Sequence, residues 1–208
     1  MQNYITVANE SIGEYEEKRS KFIATLRPVA TEEEAVSFIK EMKTKYWDAR
    51  HNVFAYMLNG GNARFSDDGE PHSTAGKPVL DIITGRGLSN VCIVVTRYFG
   101  GILLGTGGLV RAYSEAAKNA IDNSEIIEMG LLGLFSVLCD YQQYNRIVPF
   151  IENAGGTVTD TVFGEGVTVK FSLRAEQRNK FEASLTDAFA GRLSLKDEGK
   201  IFSKIKNL

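Results

Sequence analysis

Two short stretches hold the residues best suited to chemistry. One is "FSDDGEPHS", Phe65 to Ser73, where Asp67, Asp68 and Glu70 crowd together beside His72. With His51 a little upstream, these groups are the types that serve as general acids and bases or bind a divalent cation through oxygen. The other is "TRYFGGILLGTGGLVRAY", Thr96 to Tyr113, in which Gly100, Gly101, Gly105, Gly107 and Gly108 stand between Arg97 and Arg111. A glycine-rich turn running into a helix leaves free N–H groups around Thr106, with the positive end of the helix dipole behind them, and this suits an anion.

Neither stretch completes a known motif. A dinucleotide fingerprint needs a third glycine where Val110 stands, and "GILLGT" lacks the lysine of a phosphate loop. "GEPHSTAGKP" has the wrong spacing and ends in proline. The acidic loop is not an EF-hand, and turn aspartates often serve only to satisfy nearby backbone N–H groups. A hydrolytic set drawn from Ser66 or Ser73 with His51 or His72 has no GxSxG elbow to support it. With two histidines and no CxxC, no metal site and no cofactor are expected. The glycines also have a plain reading, which is to let a strand, a loop and a helix approach closely. Anion binding and close packing are compatible, and both stay open.

The elements that must position these groups are legible from periodicity. "TEEEAVSFIKEMKTKY" reads as a helix opened by a Thr31–Glu34 capping box, with Ala35, Phe38, Ile39, Met42 and Tyr46 on its buried stripe. "SKFIATLRPV" before it and "HNVFAYML" after it read as strands. Thr74 is the expected cap of a short helix with Pro78 in its first turn. "NVCIVVT" reads as a buried strand. The glycine stretch then becomes a helix with Leu109, Ala112, Tyr113, Ala116, Ala120 and Ile121 on one face.

"IDNSEIIEMG" reads as a connection, and a second pattern begins beyond it. It runs strand, helix, strand, strand, helix, strand from Leu131 onward. Pro149 is expected to kink or shorten the first of these helices. The order βαββαβ is that of a ferredoxin-like module. The fold class is therefore α+β, with a first domain at 1–128 and a second at 131–208.

Composition narrows the function classes. The chain has 208 residues, a formal net charge of −2, and no apolar run long enough to span a membrane. Each half is close to charge balance, so broad electrostatic capture of nucleic acid is disfavoured and any such contact needs a local patch. The N-terminus has neither the basic start nor the apolar core of a secretory signal. Cys92 and Cys139 read as buried thiols of a reducing compartment, and the expected location is cytoplasmic.

The segments "RSKFIA", "ARHNVFAY", "FSDDGEPHSTAGKPVL" and "VVTRYFGGILLGTGGLVRAYSEAA" together resemble the YigZ/IMPACT family over residues 19 to about 125. The remainder resembles the small ferredoxin-like domain of its bacterial members. The resemblance implies a first domain with the fold of ribosomal protein S5 domain 2 and a second like the last domain of elongation factor G. Eukaryotic relatives restrain a translation-controlling kinase by competing for its activator, and they carry an additional N-terminal RWD domain. The resemblance carries over no catalytic residues.

It marks the polar turns already singled out, namely Arg19 to Lys21, Arg50 to Asn52, Ser66 to Lys77 and Arg97 to Arg111, and they are expected to converge on one rim. The leading expectation is a non-enzymatic protein that engages RNA, the ribosome or a translation-associated partner. Its binding groups would be Arg19, Lys21, Arg50, Lys77, Arg97, Arg111, the five glycines and Thr106, with Tyr98 or Phe99 for stacking. Two alternatives stand beside it. One is an enzyme acting on an anionic small molecule through His51, Asp67, Asp68 and Glu70, and the other is a module that binds only protein.

Overall fold

The computed structural model describes residues 3–207. These divide into two compact units, one built from residues 4–128 and the other from 129–206, with residue 3 belonging to the second and 207 to the first. Among the described residues, no helix is long and apolar enough to cross a membrane.

The first unit opens with β1 (Tyr4–Val7), whose Ile5 bridges to Leu88. Its sheet contains β2 (Ser11–Glu17), β3 (Ser20–Pro28), β4 (His51–Met57), β5 (Ala63–Ser66) and β6 (Val91–Tyr98). The order is β2-β3-β6-β4-β5 and every neighbouring pair is antiparallel. The helices are α1 (Glu32–Lys45), α2 (Gly76–Gly85) and α3 (Gly105–Asp122).

Strand β6 is buried from Val91 through Arg97 because the sheet is covered on both faces. Val91, Ile93 and Val95 pack with α2 and α3, whereas Cys92 and Val94 pack with α1. The two-residue alternation of a strand therefore places Arg97 on the α2/α3 face and Thr96 on the α1 face.

Helix α1 begins as its sequence predicts, with Thr31 Oγ1 accepting from the Glu34 N–H at 3.2 Å. The reciprocal bond differs, since the Glu34 carboxylate accepts from Ala30 N–H at 2.7 Å, one residue before the expected donor. The cap of α2 is a larger departure. Thr74 turns its hydroxyl to the Pro71 carbonyl, and the Asp67 carboxylate accepts from the N–H groups of Ala75 and Gly76 instead. A carboxylate serves this place better than a hydroxyl, because it accepts two bonds and complements the helix dipole.

The second unit contributes four strands and two helices in the ferredoxin-like order. Its strands are β7 (Ile126–Cys139), β8 (Thr157–Phe163), β9 (Val167–Arg174) and β10 (Leu195–Asn207), and its helices are α4 (Tyr141–Asn153) and α5 (Arg178–Ala188). β7 pairs with β9 and β10, and β8 pairs with β9. The stretch read as a connection is strand from Ile126 onward. α4 carries Pro149 within it yet runs on to Asn153, opened by a complete Asp140–Gln143 capping box. Pro149 removes one backbone donor. The helix persists around it because Ile147 and Ile151, on either side, are both fully buried in the core.

Candidate functional site

Strand register assembles the site. His51 pairs with Arg97, and Arg97 pairs with Phe22, so three side chains from β4, β6 and β3 stand abreast on the α2/α3 face. Above them lie the acidic loop and the first turn of α3. Arg50, His51, Glu70, Pro71, Arg97, Phe99, Leu103, Leu104, Gly105, Thr106 and Leu109 line one cavity of about 470 Å³.

Its inner wall is a buried polar cluster. Arg97 is 5% exposed, and its Nη1 donates to Glu70 Oε1 at 2.6 Å. The Tyr113 hydroxyl, also buried, donates to the same oxygen at 2.7 Å. Burial, with the negative charge of Glu70 beside it, drives the Tyr113 hydroxyl far above its ordinary range, so it stays protonated and donates. The Arg97 guanidinium lies 5.5 Å from the ring centroids of both Phe22 and Phe99. Its Nε is buried and has no hydrogen-bond partner among the described residues.

His51 is oriented by its other nitrogen. Nδ1 lies 2.7 Å from the Asp68 carbonyl oxygen, which can only accept, so Nδ1 carries the proton. Nε2 then faces Glu70 Oε2 at 3.8 Å and is a bare acceptor while the ring is neutral. Asp68 holds its φ at 45°, and its carboxylate is taken up by Lys43 Nζ at 2.6 Å and by Asn52 N–H at 2.7 Å. On the opposite face of the sheet Thr96 donates to Asn52 at 2.8 Å, which ties β4 to β6 just behind the site.

The outer wall is the start of α3. Leu104 at the helix N-cap makes no side-chain cap, and the first turn holds no acidic residue. The N–H groups of Gly105, Thr106 and Gly107 therefore lack helical partners. Gly105 has φ +72°, where a side chain is strained. Gly100 is required for another reason, since a Cβ there would sit 2.1 Å from the Arg19 backbone. The close-packing reading and an open helix terminus thus hold together in one loop.

Among the residues singled out from sequence, Arg50, His51, Glu70, Arg97, Phe99, Gly105 and Thr106 meet at this cavity. Gly107 and Gly108 continue the same first turn, and Asp68 supports His51 from behind. The others lie elsewhere. Asp67 caps α2 and also accepts from Ser73 N–H at 2.8 Å. Lys77 is exposed and pairs with Asp81, and Lys21 pairs with Glu14. Arg19 sits in the left-handed turn between β2 and β3. Gly101 is exposed and Arg111 lies on the exposed side of α3. Ser73 and His72 contact one another on the surface, and Ser66 accepts from the Asp68 N–H.

Tyr113 was legible only as a core position of α3. The signal available for more was its hydroxyl, which a buried tyrosine must satisfy. Among the described residues no group of three or more His, Cys, Asp or Glu is placed to hold a metal ion.

An antiparallel sheet covered by helices on both faces, with a buried ion pair at the wall of a cavity, describes an α+β domain followed by a ferredoxin-like one. Residues 18–121 match the family model of the Impact N-terminal domain, and residues 137–192 match a domain of unknown function, DUF1949. IMPACT family member YvyE of Bacillus subtilis is 33% identical over 95% of this chain and 92% of its own length. IMPACT family member YigZ of Escherichia coli is 34% identical over 86% of this chain and 89% of its own. The human Protein IMPACT is 32% identical over 43% of this chain and 29% of its own. A crystal structure titled only as that of a hypothetical protein covers 94% of this chain at 33% identity, with a TM-score of 0.62. The chain belongs to the IMPACT family.

Proposed function

We propose that this chain is a non-enzymatic binding protein whose first unit takes an anionic group of a translation-associated RNA into the cavity at the start of α3. One observation carries the reading. Arg50, Arg97 and the uncapped first turn of α3 converge on a single concavity. The carboxylates favour binding over catalysis, because each is already committed. Asp67 holds α2, Asp68 holds Lys43 and Asn52, and Glu70 Oε1 holds Arg97 and Tyr113.

The test is sedimentation of the whole protein with ribosomes and with free structured RNA across a salt series. Saturable binding that weakens with salt is expected. Arg50→Ala, an exposed position, is expected to weaken it and to flatten the logarithmic salt slope by roughly 0.7–0.9 for one lost phosphate contact. Binding that is indifferent to salt and to nuclease would overturn the reading in favour of a protein partner.

A second reading has one observation in its favour. His51 Nε2 lies at the cavity 3.8 Å from Glu70 Oε2, a pair suited to moving a proton on a bound anion. Turnover of a phosphorylated small molecule that His51→Gln abolishes would establish it.

A further inference from the structure

We infer that the cavity accepts one unstacked nucleotide of an RNA, with its phosphate at the start of α3 and its base held inward. The inference rests on the RNA-binding reading above and names which part of an RNA the site takes.

Shape comes first. A site that tracked a duplex backbone would be a broad basic strip, but Lys21 and Lys77 are paired off, Arg19 and Arg111 lie outside the cavity, and the two arginines at the site, Arg50 and Arg97, line a concavity. Pockets of roughly 300–1,000 Å³ enclose small organic ligands, and a bare phosphate has only five heavy atoms. A cavity of about 470 Å³ therefore leaves room for a body as well as an anionic head.

The walls say what that body is. Phe99 is 47% exposed and Leu103 is 82% exposed, so an aromatic ring and an aliphatic side chain stand uncovered at the mouth. Single-stranded RNA is read by stacking splayed bases on aromatic rings and guanidinium planes. Phe99 is such a ring, backed by the Arg97 guanidinium 5.5 Å from its centroid. Arg97 is itself almost wholly buried, so it lends the cavity wall positive charge rather than a stacking face.

The depth of the cavity adds selectivity. Glu70 Oε2 is an acceptor, and so is His51 Nε2 while its ring is neutral. They suit the exocyclic amino group of adenine, guanine or cytosine, and uracil has no such group to offer. A site built on buried acceptors rejects a ligand that leaves them unpaired.

The experiment titrates the full chain with AMP, GMP, CMP and UMP, and with inorganic phosphate, by calorimetry and by competition against a fluorescent single-stranded RNA. Expected is competition by the three amino-bearing nucleotides, with UMP and phosphate at least about tenfold weaker. Gly107→Glu provides the structural control. Its Cβ has open space around it, and a glutamate in the first turn favours the helix while placing a negative charge where the phosphate must sit. It is expected to lower nucleotide affinity about tenfold or more with the fold intact, whereas Lys77→Ala changes nothing.

If RNA still sediments with the protein but no mononucleotide competes and Gly107→Glu is silent, this inference is overturned and the RNA reading stands. Competition by phosphate as strong as by nucleotides also overturns it. If neither RNA nor nucleotide binds, both fail together.

Discussion

Glu70 in the first unit and Phe171 in the second are both buried, but their surroundings have little in common. Phe171 belongs to an aromatic cluster, 5.8 Å from Phe135 and 5.2 Å from Phe181 by ring centroids, with Phe150 a further 5.4 Å from Phe181. Charged pairs in that unit, such as Lys170–Asp160 and Lys196–Glu198, lie at the surface. Glu70 instead shares the interior of its unit with Arg97 and Tyr113. A buried ion pair is a poor way to stabilise a fold, because desolvation offsets most of its Coulombic gain. The second unit shows that this chain packs an apolar core where nothing else is asked of it. The buried charges of the first unit are therefore best understood through the cavity they line.

The largest effects test that contrast directly. Arg97→Met leaves the Glu70 carboxylate buried without its cation and is expected to cost about 3–5 kcal/mol. Phe171→Ala is expected to cost about the same through loss of contacts and a cavity. Denaturant unfolding measures both losses. The two variants separate in RNA binding at low denaturant, which only Arg97→Met should remove.

The contrast sharpens if the whole cluster is replaced. Arg97→Met, Glu70→Leu and Tyr113→Phe together leave no buried charge or orphaned hydroxyl. This triple variant is expected to recover most of the stability that Arg97→Met loses, while ligand binding stays absent. If the triple variant is as unstable as the single one, the cluster serves the fold and the contrast between the units collapses.

A smaller effect belongs to Asp67. Asp67→Ala removes the acceptor for three backbone N–H groups at the start of α2 and is expected to cost about 0.5–2 kcal/mol, as lost caps do. Nucleotide binding should survive, since Asp67 lies outside the cavity lining. An Asp67→Ala protein of undiminished stability but no affinity would return this carboxylate to the site.

The smallest effect is at the surface of the second unit. Its hydrogen bond with Lys170 holds the Asp160 carboxyl below its ordinary range. A carboxylate with a depressed folded pKa contributes stability that is present above the unfolded value, about 3.9 for aspartate, and is lost as pH falls through the folded value. Asp160→Asn should therefore be slightly less stable than the parent at neutral pH and converge with it in acid. Pairs of curves that stay parallel down to low pH would show that this pair contributes nothing.

Much of the frame was present in the sequence because its causes are local. The Thr31 cap and the stripe of Ala35, Phe38, Ile39, Met42 and Tyr46 define α1; the first four are buried, and Tyr46, at the C-cap, is only partly so. The β-branched run around Val94 defines a strand covered on both faces, and the glycines before Leu109 mark where a loop becomes a helix. The cap of α2 escaped because its donors and acceptor are eight or nine residues apart, beyond the reach of any short motif.

Sequence alone determined which residues are charged, which turns need glycine, and which faces of strands and helices are apolar, since these follow from side-chain chemistry and backbone periodicity. It also marked the segments that hold Arg50, Glu70 and Arg97. Only the tertiary structure decided that Glu70 meets Arg97 and Tyr113, across separations of 27 and 43 residues, while Asp67 from the same loop and Lys77 from the helix after it point to other tasks. The reason is register. Antiparallel pairing sets His51 opposite Arg97 and Arg97 opposite Phe22, and a shift of one residue in either strand would turn those side chains to the α1 face and dismantle the site.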